Sequence, residues 1–159
     1  MKIGHGFDMH RLEVGARLVI GGVDIPWTHG LVGHSDADVL IHAVCDSLLG
    51  AAGLGDIGRQ FPDTDSSNKN RNSREFLRTV RLLLEKAGFR AHNIDCTVLA
   101  EAPKLEPYLD EMQVNMGSDL LIPPGNVHVK ATTTEGLGFT GRAEGIAAHA
   151  VVLVEQSIA

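Results

Sequence analysis

A chain of 159 residues is about one domain long by the usual ~100–200 residues per domain, which excludes two independent catalytic domains. With 43% hydrophobic and 21% charged residues it has enough apolar surface for a core, which excludes wholesale disorder. Twenty acidic against fourteen basic residues, a formal charge of −6 and 4% aromatics disfavour a general nucleic-acid binder, which needs a basic surface and exposed rings.

In chain order, residues 3–7 predict a short first strand. Residues 17–20 and 23–25 flank Gly21-Gly22, a pair suited to a tight hairpin because glycine tolerates positive φ. Residues 36–52 carry Val39, Leu40, Ala43, Val44, Leu48 and Ala51 at helical spacing, with Ser35 or Asp36 placed as the cap. Residues 53–72, rich in Gly, Asp, Ser and Asn, read as a loop long enough to be functional. A second helix begins at Asn72 or Ser73, with Phe76, Leu77, Val80, Leu83, Leu84 and Ala87 as its stripe and Gly88 as its stop. Strands follow at 93–100, with Ile94, Cys96, Val98 and Ala100 on one face, at 127–131, with Val127, Val129 and Ala131, and at 146–154. Residues 107–121 lie between as a third helix with Leu109, Met112 and Met116 inward. The order predicts a single α+β domain over 1–159, a mixed β-sheet with helices packed on one face.

No apolar run approaches the ~18 residues of a membrane helix, and no basic segment leads into a hydrophobic stretch at the N-terminus. The chain therefore reads as cytoplasmic, with no membrane partner. Cys45 and Cys96, far apart and among apolar neighbours, read as buried thiols rather than a disulfide.

Asp8 and His10 are two residues apart, so an extended backbone puts both side chains on one face of a strand end. His42, one turn from Asp38 and from Asp46, would reach the same point from a helix packed on that strand. Two imidazoles and a carboxylate with a fourth position open are the donor set of a catalytic zinc. Taken alone, a helix histidine is more often a satisfied side chain than a ligand. His34 and Ser35 precede the helix, whose first N–H groups suit a phosphate; the alternative is that Ser35 merely caps and His34 is solvated. Residues 130–142 carry hydroxyls, a carboxylate and cations from a strand into a glycine-rich turn fit for close approach by a ligand, without P-loop spacing. A chain of charge −6 repels polyphosphates unless metal ions, Lys104, Lys130, Arg142 or a helix N-terminus reverse the local sign. The residues alone thus reach a metal-assisted phosphate-binding site and stop there.

Four segments together resemble the 2-C-methyl-D-erythritol 2,4-cyclodiphosphate synthase family of the non-mevalonate isoprenoid pathway. They are Gly4-His-Gly-Phe-Asp-Met-His10, His34-Ser-Asp-Ala-Asp-Val39 with His42, Gly55-Asp-Ile-Gly58 through Phe61-Pro-Asp-Thr-Asp65, and Lys130-Ala-Thr-Thr-Thr-Glu135 through Gly141-Arg142. The resemblance implies a phosphorus–oxygen lyase in which the 2-phosphate of a CDP-methylerythritol substrate attacks the β-phosphorus, CMP leaves and a cyclic diphosphate closes. It implies a homotrimer with active sites between neighbouring subunits.

By the same resemblance Asp8, His10 and His42 bind zinc, and Glu135 helps hold a second divalent ion, magnesium or manganese. His34 and Thr133 act on the phosphates, with Ser35, Thr132 and Thr134 nearby. Ala100, Ala102, Pro103, Lys104 and Leu105 line a cytidine pocket, while Asp56, Ile57, Gly58 and a mobile loop of Phe61, Pro62, Asp63, Thr64 and Asp65 enclose the methylerythritol part. Phe139 and Arg142 face an axial channel that holds an isoprenoid diphosphate, unless Arg142 pairs with Glu144. Two positions depart from the family: Ala37, where glycine is frequent, and Gly136, where a basic residue is common. The rival readings are a zinc hydrolase with Asp38, Asp46 or Asp56 as base, and a non-catalytic isoprenoid-diphosphate sensor.

Overall fold

Period-2 and period-3.6 stretches of the chain become strands and helices whose apolar sides meet in one core. The computed structural model describes residues 1–157. Its strands are β1 (Lys2–Val14), β2 (Val19–Ile20), β3 (Val23–Asp24), β4 (His29–Val32), β5 (Phe89–Leu99), β6 (Val127–Thr132) and β7 (Gly145–Gln156). Its helices are α1 (Val39–Ala52), α2 (Ile57–Gln60), α3 (Ser73–Lys86), α4 (Leu109–Leu120) and α5 (Gly138–Gly141). Five strands form one sheet in the order β4-β1-β7-β5-β6, with β5 and β6 parallel and the other pairs antiparallel. α1 lies on β1, β7 and β5, α3 on α1 and β5, and α4 on α3 and β6. The mixed sheet and the one-sided helices match the expected α+β class. No described helix is long and apolar enough to cross a membrane.

The first strand is longer than expected. Gly4, Gly6, Asp8, His10 and Leu12 alternate toward the helices, while Ile3, Phe7 and Met9 point to the opposite, uncovered face. Two polar side chains at inward positions interrupt the apolar alternation by which a strand is recognised. Gly4 and Gly6 are required where they stand. A Cβ on Gly4 would fall inside the Ser47 carbonyl and one on Gly6 inside that of Ala43, so α1 seats directly on the β1 backbone only because these side chains are missing.

The core is built mainly by α1, which buries Leu40, Ile41, Val44, Leu48 and Leu49 against Ile146, Ala148, Ala150 and Val152 of β7. α3 contributes Phe76, Leu77, Val80 and Leu84, and α4 Met112 and Met116. Each such side chain contributes about 1.5–3 kcal/mol by leaving water. Cys45 and Cys96 are free and buried, as expected.

The start of α1 requires a correction. Asp38, not Ser35 or Asp36, is the N-cap: its wholly buried carboxylate accepts from the N–H groups of Ile41 (3.0 Å), Gly21 (2.9 Å) and Gly22 (2.7 Å). Gly21 and Gly22, with φ of 60° and 72°, form the β2–β3 turn, so one carboxylate ties the hairpin to the helix. That carboxylate satisfies one of the free N–H groups at this helix terminus, that of Ile41. Ala37 sits just before it at φ 57°, which explains why glycine suits this position.

Other differences are smaller. Residues 53–72 contain α2 and a 3₁₀ turn at Ser66–Asn68, and the third helix is a 3₁₀ turn at Glu106–Tyr108 followed by α4. Ala131 is exposed rather than inward. β4 and α5, four residues each, are too short to show a period.

Candidate functional site

β1 presents Asp8 and His10 at successive inward positions, and α1, seated on the glycines, brings His42 against them. Asp8 Oδ2 lies 2.9 Å from His10 Nε2 and 3.1 Å from His42 Nδ1, and the two ring nitrogens are 3.1 Å apart. This triangle is close to the ~3.3 Å ligand spacing of tetrahedral zinc with ~2.0 Å bonds. The outward nitrogens have their own partners. His10 Nδ1 donates to the Val32 carbonyl at 3.2 Å, and His42 Nε2 lies 2.9 Å from Ser73 Oγ and 3.0 Å from Ser35 Oγ. With those partners the three inward atoms can each offer a lone pair to one point, an arrangement that suits a cation. The donor set and its spacing fit a divalent metal.

Titration reflects the same convergence. Burial lowers the His10 imidazole, but the hydrogen bond and charge of Asp8 outweigh it and raise it above its ordinary 6.5. Burial raises Asp8, but hydrogen bonds and charge from His10 and His42 prevail and bring its carboxyl down to about 2. Gly33 fits beside this site because a Cβ there would meet His10 Cε1 at 2.9 Å.

The triad lines a cleft of about 250 Å³ that also includes His34, Ser35, Ile57, Gly58, Phe61 and Asp63 of the predicted residues. His34 Nε2 is buried there without a hydrogen-bond partner. Phe61 is held over the cleft by its ring contact with Phe76, 4.6 Å between centroids. Asp46 was read only as a base for the rival hydrolase. It lines the cleft and accepts from the Ile57 N–H at 2.8 Å, which anchors α2. Burial raises its carboxyl above the ordinary value, with Asp56 and Asp8 adding to the effect and the Ile57 bond opposing it. Asn68 and Phe76 also line this cleft and carry no sequence signal of their own.

A second cleft, about 560 Å³, opens at the ends of β5 and β6. It gathers Ala100, Pro103, Lys104, Leu105, Thr132 and Thr133 of the predicted set. Glu101, missed in the sequence, lines it and accepts from the N–H groups of Thr134 (3.3 Å) and Gly136 (3.2 Å), shaping the turn after β6. The two clefts share no lining residue. Asp56, Pro62, Thr64, Asp65, Ala102, Thr134, Glu135, Phe139 and Arg142 line neither. Asp56 caps α2 and Asp65 caps the 3₁₀ turn at Ser66–Asn68. Arg142 pairs with Glu144 at 3.2 Å.

The cations that the sequence offers for reversing the local charge are all paired. Within the chain, Lys104 pairs with Glu106, Lys130 with Asp95 and Arg142 with Glu144, so each of these cations has a carboxylate beside it.

Comparison with known proteins adds independent findings. The profile of the YgbB family matches residues 1–155. A 2-C-methyl-D-erythritol 2,4-cyclodiphosphate synthase from Syntrophomonas wolfei is 57% identical, covering 99% of this chain and 100% of that protein. The fold superposes on the bifunctional IspDF of Campylobacter jejuni with a TM-score of 0.94 at 45% identity. That match covers 98% of this chain and 42% of the longer bifunctional one. An IspF from Plasmodium falciparum, solved as a CDP complex, matches at 34% identity and a TM-score of 0.87 over 99% of this chain and 97% of its own. Sequence, fold and the arrangement of the site agree, and the chain belongs to the YgbB family.

Proposed function

We propose that the chain converts 4-diphosphocytidyl-2-C-methyl-D-erythritol 2-phosphate to 2-C-methyl-D-erythritol 2,4-cyclodiphosphate and CMP, acting as a phosphorus–oxygen lyase. The observation that carries this reading is the convergence of Asp8 Oδ2, His10 Nε2 and His42 Nδ1 on one point of a cleft lined by His34. Relatives at 53–57% identity that bear the synthase name support it and favour cyclisation over hydrolysis or over binding without turnover.

The chemistry brings two anionic groups together. The substrate's own 2-phosphate is the nucleophile and needs no base to ionise it; its oxygen bonds to the β-phosphorus as the bond to the CMP oxygen breaks. Holding the two phosphates in register removes the entropy of ring closure, which supplies up to ~7–11 kcal/mol in favourable systems. A divalent ion held by Asp8, His10 and His42, zinc in our reading, supplies Lewis-acid charge against the diphosphate. His34, which lines the cleft and has a ring nitrogen without a partner, donates to a phosphate oxygen, and the Thr133 hydroxyl does so from the second cleft. A second ion, magnesium or manganese, suits Glu135, since such ions bind through one or two carboxylates plus substrate phosphates.

The second cleft takes the cytidine. Ala100, Pro103, Lys104 and Leu105 line it and border the base and ribose, with Ala102 beside them in the chain, and the Plasmodium falciparum relative, solved as a CDP complex, supports nucleotide binding. Because the two clefts share no wall, one substrate spans them most simply across a boundary between copies of the chain. The uncovered sheet face, with Ile3 69% and Met9 48% exposed, offers a surface for assembly. We read the working form as a homotrimer, with Phe139 toward its axis; because Arg142 pairs with Glu144, an isoprenoid diphosphate on that axis is not part of this reading.

Phosphorus NMR of the purified enzyme with substrate tests the reading. The expected products are CMP and a cyclic diphosphate without inorganic phosphate; linear phosphate products would exclude it.

A further inference from the structure

The side of His42 that faces away from Asp8 and His10 is as organised as the side that faces them. Ser73, the first residue of α3 and wholly buried, places its Oγ 2.9 Å from His42 Nε2. The same Oγ hydrogen-bonds Asp36 Oδ1, while the Ser73 backbone N–H donates to Asp36 Oδ2 at 2.9 Å. Asp36 Oδ1 also accepts the Asp38 N–H at 3.1 Å, so this carboxylate is pinned between the entry to α1 and the first turn of α3.

The direction of each bond follows from the donor inventory. A carboxylate only accepts, so the single Ser73 hydroxyl proton goes to Asp36, and Ser73 Oγ offers His42 nothing but lone pairs. His42 must then donate from Nε2, which leaves the lone pair on Nδ1, the atom that faces His10 and Asp8. Ser35 Oγ, 3.0 Å from the same Nε2, cannot impose this choice by itself, because its free hydroxyl can turn to give or to receive.

We propose that Asp36 and Ser73 are positioning residues of the metal centre: Asp36 makes Ser73 an obligate acceptor, and Ser73 thereby fixes the His42 tautomer that presents Nδ1 to a divalent cation. The inference rests on the metal reading of the triad and extends it to two residues that touch neither metal nor substrate. Loss of such outer partners typically weakens metal affinity 10–100-fold.

Two measurements test it. Zinc affinity of the full chain and of Ser73→Ala is read by competition with a chromophoric chelator. In parallel, the cobalt(II)-loaded wild-type protein is examined by proton NMR for the exchangeable, paramagnetically shifted Nε2–H of His42. The expected results are a 10–100-fold loss of zinc affinity in Ser73→Ala and a His42 N–H that exchanges slowly with solvent in the wild type. A variant whose affinity stays within twofold of wild type overturns the proposal while leaving the metal reading intact. So does a wild-type His42 N–H that exchanges as fast as a free imidazole, a result that does not depend on the variant folding. A wild-type chain that binds neither zinc nor cobalt overturns both.

Discussion

Gly6 of β1 faces the carbonyl of Ala43 in α1 so closely that a single added methyl would fall within it. The contact lies one residue from His42 and two from Asp8, so the packing of helix on strand and the assembly of the donor triad are one event. Gly6→Ala should therefore destabilise the protein by about 3 kcal/mol or more, since a backbone carbonyl has nowhere to move in a packed core. The refolded fraction should also bind zinc more weakly. Thermal melts and metal analysis of the same preparation check both.

His42→Ala removes one of three converging donors and should lower turnover by at least ~10²–10³-fold. Since the second cleft shares no wall with the first, binding of CMP should stay within about twofold of wild type, read by calorimetry. Lys104→Ala should do the reverse, weakening CMP while zinc content holds. If both changes damage both ligands equally, the two clefts are not independent subsites.

Metal uptake should weaken as pH falls. The Asp8 carboxylate raises His10 above its ordinary 6.5, so as pH falls through that raised value a proton competes for the lone pair a metal needs. Each bound metal then displaces a proton, and affinity should fall by up to ~10-fold per pH unit below that titration. Asp8, whose carboxyl lies at about 2, stays available through this range and adds nothing to the fall until far lower pH. Calorimetric titrations in buffers of different ionisation enthalpy would count the released protons.

Burial pushes the Cys96 thiol up to about 12, with the neighbouring Asp95 charge adding and Lys130 opposing. At pH 8 the native protein should leave this sulfur unmodified by iodoacetamide over hours, and unfolding should expose it. Mass spectrometry of pulse-labelled samples distinguishes the two.

Phe7, 39% exposed, points from the uncovered side of the sheet, opposite to the metal ligands. Phe7→Asp should break the proposed trimer by placing a carboxylate from each copy on an apolar contact surface. Sedimentation equilibrium should show wild type at about three times 17.0 kDa and the variant below it, with zinc still bound and turnover lost. A wild-type monomer with full turnover would refute the shared-site arrangement.

Much of this was legible from residue spacing. Helical periodicity found α1 and α3 because their apolar stripes are long, alternation found β5 and β6, and an apolar run found β7. It stopped short in β1 at Asp8, where the strand exchanges core residues for ligands. The triad was readable because two of its members are two residues apart and the third is on the adjoining helix. Asp38 was misjudged because three acceptor sites on one carboxylate drew it to a cap position further along than Ser35 or Asp36. Glu101 and Ser73 had no local pattern: each acts on groups more than thirty residues distant, a relation only the fold creates.

β1 changes neighbours at Arg11. From there to Val14 it pairs with β4, but over Lys2–His10 its only partner among the described residues is β7. That stretch is an open margin of the sheet, with free backbone groups and the apolar Phe7 and Met9 beside them, which is the kind of template a foreign strand adds to. Preparations that lose the assembled state should clump through this segment first, and lysine introduced along it should keep them dispersed.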